Sequence, residues 1–521
     1  MVAAVPQKFK PSDLIGQCEL ITSSELLKRM AERGMGRDAA KKSISRASTR
    51  DPKLWRSGHL QLPHGERLFA RSSFVGTPGF CRQAAECLRE LRPGLARCLE
   101  ALERYTVLHR THAHRLVAAT VSTNPHSPSF DEEVTALAEL GVKVGGKGTE
   151  FEYLVTENSW ESQSSYDELA IRSLLTLRKE SLLARILTIR LKRQSLVSWN
   201  GNELPSQSKG YVDYSGQIFT AYGFSWLAPL VRVNEAKKRI PCPVLIDVYA
   251  DRCSLSAVQS FLTRANNATN WGRRRQPYLG IIGARQFDKN AWDEAKNKGL
   301  VTVNFTQMFG DEALNAMVMV EQILGDLRVS GQQKSLENEF KQFLGALENL
   351  KSNPVVMDLC SIGFEVLAGL VLRSEGWEGI VLGQDVPFRE ERKRDVDVFG
   401  KKGDDLIMVE CKAYHEHKEL SPSEVTKFFV ETVPSCRKWW TKKENKAIGR
   451  CYAEIWTSGA IGEDAKAKLK ELALKDNIQA DILGPDEILA RIPSDMRKRS
   501  NALLSVIAKG GQEWGDLEVN Q

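Results

Sequence analysis

The sequence predicts a multidomain α/β protein, and three observations lead to that reading. The chain has 521 residues, and single hydrophobic cores stop growing beyond roughly 250–300 residues. Hydrophobic residues make up 42% and charged residues 27%, a globular balance that excludes a chain disordered over most of its length. From about residue 210 onward, runs at helical spacing alternate with short apolar strand-like runs, the pattern of sheets covered by helices.

The elements follow in order. Thr22, Ser23 and Ser24 are cap residues for a helix over Glu25 to Arg33, and Gly34, Met35 and Gly36 end it. A second helix is predicted from about Arg37 to Ala47, with Ala39, Ala40, Ile44 and Ala47 inward and Arg37, Lys41, Lys42, Ser45 and Arg46 outward. Alternating runs His59 to Leu62 and Arg67 to Ala70, separated by Pro63, His64 and Gly65, predict a hairpin. Residues 80–157 give helical patterns at 81–103, 106–119 and 130–140, then a hairpin-like pair, Val142 to Val144 and Phe151 to Val155.

A long helix is expected from Tyr166 to Arg193, then strands at Ile218–Tyr222, Leu227–Val233 and Pro243–Tyr249. A helix over Ser254–Ala265, a strand at Tyr278–Ile282, a helix at Lys289–Lys298 and a strand at Val301–Val303 complete this part. A charged helix over 332–350 connects to the last domain. There the order is helix 358–374, strands 380–388, 395–399 and 406–412, helix 422–432, strand 450–457, helix 463–475 and a strand near Ile482. The expected domains are 1–78, 79–160, 161–330, a linker over 331–354, and 355–521.

Charge is unevenly placed. Residues 1–75 hold 14 Lys/Arg against 7 Asp/Glu, which equals the formal excess of +7 of the whole chain. A basic N-terminal module on a near-neutral body points to a polyanion, through attraction to phosphate; an ordinary lysine-rich surface is the alternative. Ten cysteines contain no CxxC pair, so they read as reduced thiols filling cores in a cytoplasmic protein. No run approaches the roughly 18–20 apolar residues that span a bilayer, and no membrane partner is expected. His109, His112 and His114 lack nearby acid or thiol companions, and read as helix-surface or phosphate-facing side chains rather than metal ligands.

The stretch from Arg394 to Ala413, RDVDVFGKKGDDLIMVECKA, carries the chemistry. Side chains alternate along a strand, so Glu410 and Lys412 share one face, as do Asp395 and Asp397. A turn centred between Gly403 and Asp404 sets Asp397 opposite Glu410, within about 5 Å at the Cα atoms. Two carboxylates side by side repel. A divalent cation relieves that repulsion, and hard oxygen donors suit Mg²⁺ or Mn²⁺, with Asp397 and Glu410 as ligands. Lys412 could orient or deprotonate a water, or hold charge on a phosphorane-like transition state. A solvated charged hairpin is the bland alternative.

This D-x(12)-E-x-K pattern lies between a helix containing Glu365 and a helix from Ser423. It resembles the PD-(D/E)xK nuclease superfamily, on its Mrr-like restriction endonuclease branch. The resemblance covers about residues 355–493. It implies a restriction-endonuclease-like mixed sheet flanked by helices. It also implies that Asp397 and Glu410 bind metal, that Lys412 assists attack, and that Glu365 joins the site from its helix. No proline precedes Asp397, and Asp395 is the alternative first acid. The N-terminal order resembles a winged helix-turn-helix, in which the second helix enters the major groove; residues 79–160 are expected to hold a second such module. Further cations, Arg437, Lys438, Lys442, Lys443 and Lys446, surround Trp439 and Trp440, a mix that suits a phosphate backbone, although tryptophans are usually core.

The middle domain reads as a degenerate copy of the last. Val244 to Tyr249 matches Ile407 to Lys412, with Asp247 at the acidic position and Tyr249 in place of lysine. A non-catalytic nuclease-like domain that binds DNA or mediates assembly is expected there, with Arg273, Arg274 and Arg275 as contacts; an unrelated α/β domain is the alternative. The expectation is a Mg²⁺-dependent endonuclease acting on double-stranded DNA, in restriction or defence against foreign DNA, with a homodimer as one way to cut both strands. The rivals are a DNA-binding regulator or scaffold with a silent nuclease-like fold, and an RNA-cleaving toxin.

Overall fold

The Thr22 hydroxyl accepts a hydrogen bond from the Glu25 amide and starts the first long helix where the cap residues place it. The computed structural model describes residues 9–60, 62–121, 128–149, 152–156, 163–198, 201–205, 210–228, 230–233, 237–271, 274–328, 333–350, 356–388, 393–415, 417–445, 448–472 and 477–509. It is a mixed α/β architecture in two units, one of residues 1–180, 190–205 and 209–303, the other of 181–189, 206–208 and 304–521. Each is broader than the segments expected from sequence.

The first unit opens with β1 (Leu20–Thr22), α1 (Ser23–Glu32), α2 (Arg37–Arg50), β2 (Leu54–Arg56) and β3 (Leu68–Arg71). The three strands form an antiparallel sheet in the order β1-β3-β2. Ala40 and Ile44 of α2 are buried and Ala47 half-buried, whereas Ala39, expected inside, is exposed. The partner of β3 is 54–56, not the expected 59–62. The amides of Gly58, His59 and Leu60 instead donate to the Glu139 carboxylate, which takes them out of any ladder.

Next come α3 (Pro78–Leu91), α4 (Pro93–Tyr105), β4 (Val107–His109), α5 (Arg110–Val117), α6 (Phe130–Glu139), β5 (Val142–Gly145) and β6 (Tyr153–Thr156). The helix expected over 81–103 is two helices. Pro93 forces Arg92 out of helical geometry, to φ −144 and ψ 69. The sheet β4-β6-β5 is antiparallel and repeats the strand–helix–helix–strand–strand order of the first module. One core runs through both modules, joining Leu20, Leu60 and Leu68 to Leu99, Phe130 and Leu154. Of the expected second hairpin, Phe151 lies outside the described residues.

Helix α7 (Gln163–Arg193) is followed by β7 (Val212–Tyr214), β8 (Gln217–Phe219), β9 (Ala221–Ser225), β10 (Arg232–Val233) and β11 (Arg239–Ile240). The strand expected over 227–233 shrinks to its last two residues, because the amides of Leu230 and Val231 turn back to the Leu227 carbonyl. Then come β12 (Cys242–Cys253), α8 (Leu255–Thr269), β13 (Asn270–Trp271), β14 (Arg274–Arg275), β15 (Leu279–Phe287), α9 (Lys289–Asn297) and β16 (Val301–Asn304). The sheet order is β16-β15-β12-β9, with β9 antiparallel and β15 parallel to β12.

The second unit holds α10 (Phe305–Phe309), α11 (Asp311–Arg328), α12 (Gln333–Asn349), α13 (Val356–Ser374), β17 (Glu378–Pro387), β18 (Lys393–Lys402) and β19 (Asp405–Lys412). These lead to α14 (Pro422–Thr426), α15 (Val433–Glu444), β20 (Cys451–Thr457), α16 (Glu463–Glu471), β21 (Ile478–Leu483), α17 (Pro485–Arg491) and α18 (Ser494–Ala508). A π-helical stretch, Lys427–Thr432, joins α14 to α15 just before Pro434, whose missing amide interrupts the regular ladder. The helix expected to stop at 432 therefore runs on to 444.

The sheet order is β17-β18-β19-β20-β21; the first two pairings are antiparallel and the last two parallel. Helix α13, almost wholly apolar and buried, packs against β17, β18 and β19. An antiparallel pair followed by a parallel crossover recurs in both units: α8 joins β12 to β15 as α14 and α15 join β19 to β20. Among the described residues, no helix is long and apolar enough to cross a membrane.

Candidate active site

Strands β18 and β19 form a hairpin whose ladder runs from Lys402↔Asp405 back to Val398↔Val409. Gly403 sits in the turn at φ 62, which a side chain reaches only with strain. One step past the last pair, the same register sets Asp397 opposite Glu410. There the ladder stops. The Cys411 amide donates to Asp397 Oδ2 at 2.7 Å, so a carboxylate takes the place of a backbone carbonyl where the strands part. That bond anchors Asp397.

Strand β19 continues beside β20, pairing Glu410 with Ile455 and Lys412 with Thr457. Glu410 and Lys412 share a face, and Lys412 Nζ lies 2.6 Å from Glu410 Oε1, both side chains half-buried. Burial works against the ammonium, but the Glu410 and Asp397 carboxylates outweigh it and hold Lys412 well above the usual lysine range. Beside these two carboxylates Lys412 carries a positive charge at neutral pH. Burial, reinforced by Asp397, Glu365 and Glu410, pushes the Cys411 thiol far up, so it is no nucleophile.

Glu365 comes from α13, is 8% exposed, and pairs with Arg185 of α7 at 3.0 Å. It bears on Cys411, whose side chain alternates to the face opposite Glu410 and Lys412. The structure therefore places Glu365 on the α13 side of β19, with Arg185 answering its charge. Asp395 pairs with Asp385 across β17 and β18, and its side chain lies outside the described residues. Among the described residues, no group of three or more His, Cys, Asp or Glu is placed to hold a metal. Asp397 and Glu410 are hard oxygen donors of the type Mg²⁺ takes, an ion commonly held by one or two carboxylates and completed by water and substrate oxygen.

Sequence reasoning missed the residues that flank the end of β19. The Tyr414 phenol donates to Glu424, which also closes a capping box with Ser421 at the start of α14. The Tyr414 amide donates to Ser458 Oγ at 2.8 Å, and Lys418 Nζ lies 3.7 Å from the Tyr414 ring centre. The one signal available was the Ser421–Glu424 spacing, which reports a helix start and nothing about Tyr414.

On α15, Lys438, Lys442 and Lys443 are exposed, and Arg437 donates to Asn477 at 2.9 Å. Trp439 and Trp440 pack beside Phe399, at ring separations of 6.0 and 5.0 Å, and Lys443 lies 4.9 Å from the Trp439 ring. The indoles belong to the edge of the core. Lys446 and Arg273, and the side chains of Arg274 and Arg275, lie outside the described residues.

On α2, Arg37, Lys41, Lys42 and Arg46 are all exposed. The corresponding helix of the second module, α6, is acidic in its first turn, with Asp131, Glu132 and Glu133. Among the described residues, the second helix of the first module is cationic where that of the second is acidic.

The three histidines are structural, which corrects their expected surface placement. His109 Nδ1 accepts the Thr111 amide and caps α5. His112 lies 3.0 Å from Glu180. His114 Nε2 lies 3.1 Å from the Ala119 carbonyl, its ring stacks on Phe130, and burial pushes its pKa down to about 4. The three side chains have three different partners.

Asp247 is fully buried and pairs at 2.6 Å with Arg264 of α8, equally buried. The Tyr249 hydroxyl donates to it at 3.1 Å, and the Thr220 amide at 3.2 Å. Where Glu410 has an ammonium at a half-open edge, Asp247 has a guanidinium in a sealed core. Compared with protein-family models, with curated proteins and with solved structures, the chain matches none.

Proposed function

We propose that the second unit is a divalent-metal-dependent endonuclease of the PD-(D/E)xK type, hydrolysing DNA phosphodiester bonds in restriction or defence against foreign DNA. One observation carries this reading: Asp397, Glu410 and Lys412 gather at the end of β19, through the hairpin register and a 2.6 Å ion pair. A bound Mg²⁺ would supply charge neutralisation on the scissile phosphate and a more acidic water. Asp397 and Glu410 would hold it. Lys412, already protonated and half-buried, places positive charge where a pentavalent phosphate would develop negative charge.

Binding is assigned to the first unit, in which we read both strand–helix–helix–strand–strand modules as winged helices, with α2 entering the major groove. Replacing Arg37, Lys41, Lys42 and Arg46 together by glutamine should weaken duplex binding. It should also flatten the plot of log K against log salt by up to about 0.9 for each phosphate contact removed. Fluorescence anisotropy over a salt series measures this; unchanged affinity rejects α2 as the DNA-facing helix.

The test of function is supercoiled plasmid with Mg²⁺ or Mn²⁺, set against the same reaction in EDTA. Nicked or linear product only with metal is the expected result. An intact plasmid beside degraded RNA transfers the site to RNA, and two intact substrates leave a DNA-binding scaffold with a silent hairpin.

A further inference from the structure

The first unit contains a cavity of about 470 Å³ that none of the chemistry above uses. That size falls within the roughly 300–1,000 Å³ of small-ligand pockets. Its walls come from α4, α5 and α7, from the end of β12 and from the start of α8. Part of the wall is apolar, with Val107, Leu116 and Leu169; the rest is polar, with arginines and serines and also the carboxylates of Glu100, Glu180 and Asp251.

Most charges around it are answered. Arg115 pairs with Glu180 at 2.7 Å, Arg252 with Asp288, Arg172 with Glu168 and Glu100 with Arg89, while Asp251 is exposed. Arg97 is different. It is 7% exposed, and its one hydrogen bond among the described residues runs from Nε to the Leu116 carbonyl at 3.0 Å. No acid pairs with it there. Burial, with the nearby charge of Arg264, outweighs the favourable charge of Glu100 and pushes its pKa down to about 10, so it stays charged at neutral pH without a hydrogen-bonded acid. Arg104, seven positions on along the same face of α4, lines the same cavity; it is exposed and has no acid partner among the described residues.

A buried guanidinium with no acid bonded to it is costly, and a ligand anion would answer it. Two arginines near a helix start suit a phosphate in particular: guanidinium forks match its oxygens, and although Ser254 already caps the Ala257 amide, the Leu255 and Ser256 amides of α8 remain as donors. We propose that this cavity binds a phosphorylated small molecule of mononucleotide size, its phosphate on Arg97 and Arg104 and its body against Val107, Leu116 and Leu169. The site is independent of the nuclease reading and stands if that reading fails.

Titration calorimetry on the full chain tests it with AMP, ATP and inorganic pyrophosphate, with adenosine as the uncharged control. A 5′-phosphorylated oligonucleotide separates a free nucleotide from a DNA end. Saturable binding of a phosphorylated probe at one site per chain, absent for adenosine and weakened at least tenfold in Arg97→Met, is expected. Arg97→Met should also melt no lower than wild type without ligand, since it removes an uncompensated charge; a merely structural arginine would melt lower and leave affinity unchanged. Arg104→Gln, at the same cavity, should weaken binding in the same direction and serves if Arg97→Met does not fold. Binding of the oligonucleotide alone, binding of none of the probes, or affinity indifferent to both substitutions overturns the proposal.

Discussion

Replacing Lys412 by alanine should lower the rate of plasmid nicking by about 10²–10³-fold, the usual loss when one preorganised transition-state donor is removed, and should leave duplex affinity unchanged. The expectation follows from position. Lys412 Nζ is 2.6 Å from Glu410 on a half-buried strand end, and both carboxylates keep it charged. Its charge is held in place before substrate arrives, so little reorganisation is needed as negative charge grows on the phosphate. The exposed cations of α2 are far along the chain from this residue, and binding should not depend on it. Lys412→Arg keeps charge but spreads it over a planar group of different reach, and should rescue only part of the rate. Cleavage at the wild-type rate by a correctly folded Lys412→Ala chain would remove the hairpin from the mechanism.

Asp247→Ala is expected to cost about 3–5 kcal/mol of stability, because breaking a buried pair strands the other charge. Arg264 is fully buried, and so is Asp247. The alanine variant leaves the guanidinium with the Ile218 carbonyl and the Ser260 hydroxyl but no acid at bonding distance. Burial works to raise the Asp247 pKa, but Arg264 and Arg115 outweigh it and hold the carboxyl below its usual range. The sign follows. A depressed carboxyl pKa contributes stability above the unfolded value, near 4, and loses it as pH falls through the folded value. The double variant Asp247→Leu, Arg264→Met should recover most of the loss, since apolar replacement of a whole buried pair is often neutral or better. Urea denaturation of the three proteins at neutral pH measures this. A single variant as stable as wild type would contradict the sealed pair, and plasmid nicking retained in the stable double variant is what a non-catalytic middle domain requires.

The two positions differ in what answers the acid. Glu410 and Asp247 each follow an apolar run in a central strand, each next to an antiparallel and a parallel neighbour. At the first, a lysine two residues on keeps a charge at an accessible edge. At the second, Tyr249 supplies a neutral hydroxyl, and Arg264, a helix away in sequence, neutralises the acid internally. The lysine-to-tyrosine change was legible in the sequence. The arginine was not, because nothing local relates residue 264 to residue 247.

Local periodicity determined much by itself. Period-two alternation put Glu410 and Lys412 on one face, and the Gly403 turn set the register that faces Asp397 with Glu410. The order of strands and helices over 355–483 followed from the same short-range rules, though not the end of the helix from 422; so did the cap at Thr22 and the basic face of α2. These depend on neighbours a few residues apart, whose geometry the backbone dictates. Only the tertiary structure decided which distant groups complete the charges and donors left over: Arg185 for Glu365, Arg264 for Asp247, Glu139 for the amides of 58–60, and no acid among the described residues for Arg97. A polar group taken out of water must find its partner wherever packing brings one, and that choice depends on the whole fold rather than on spacing along the chain.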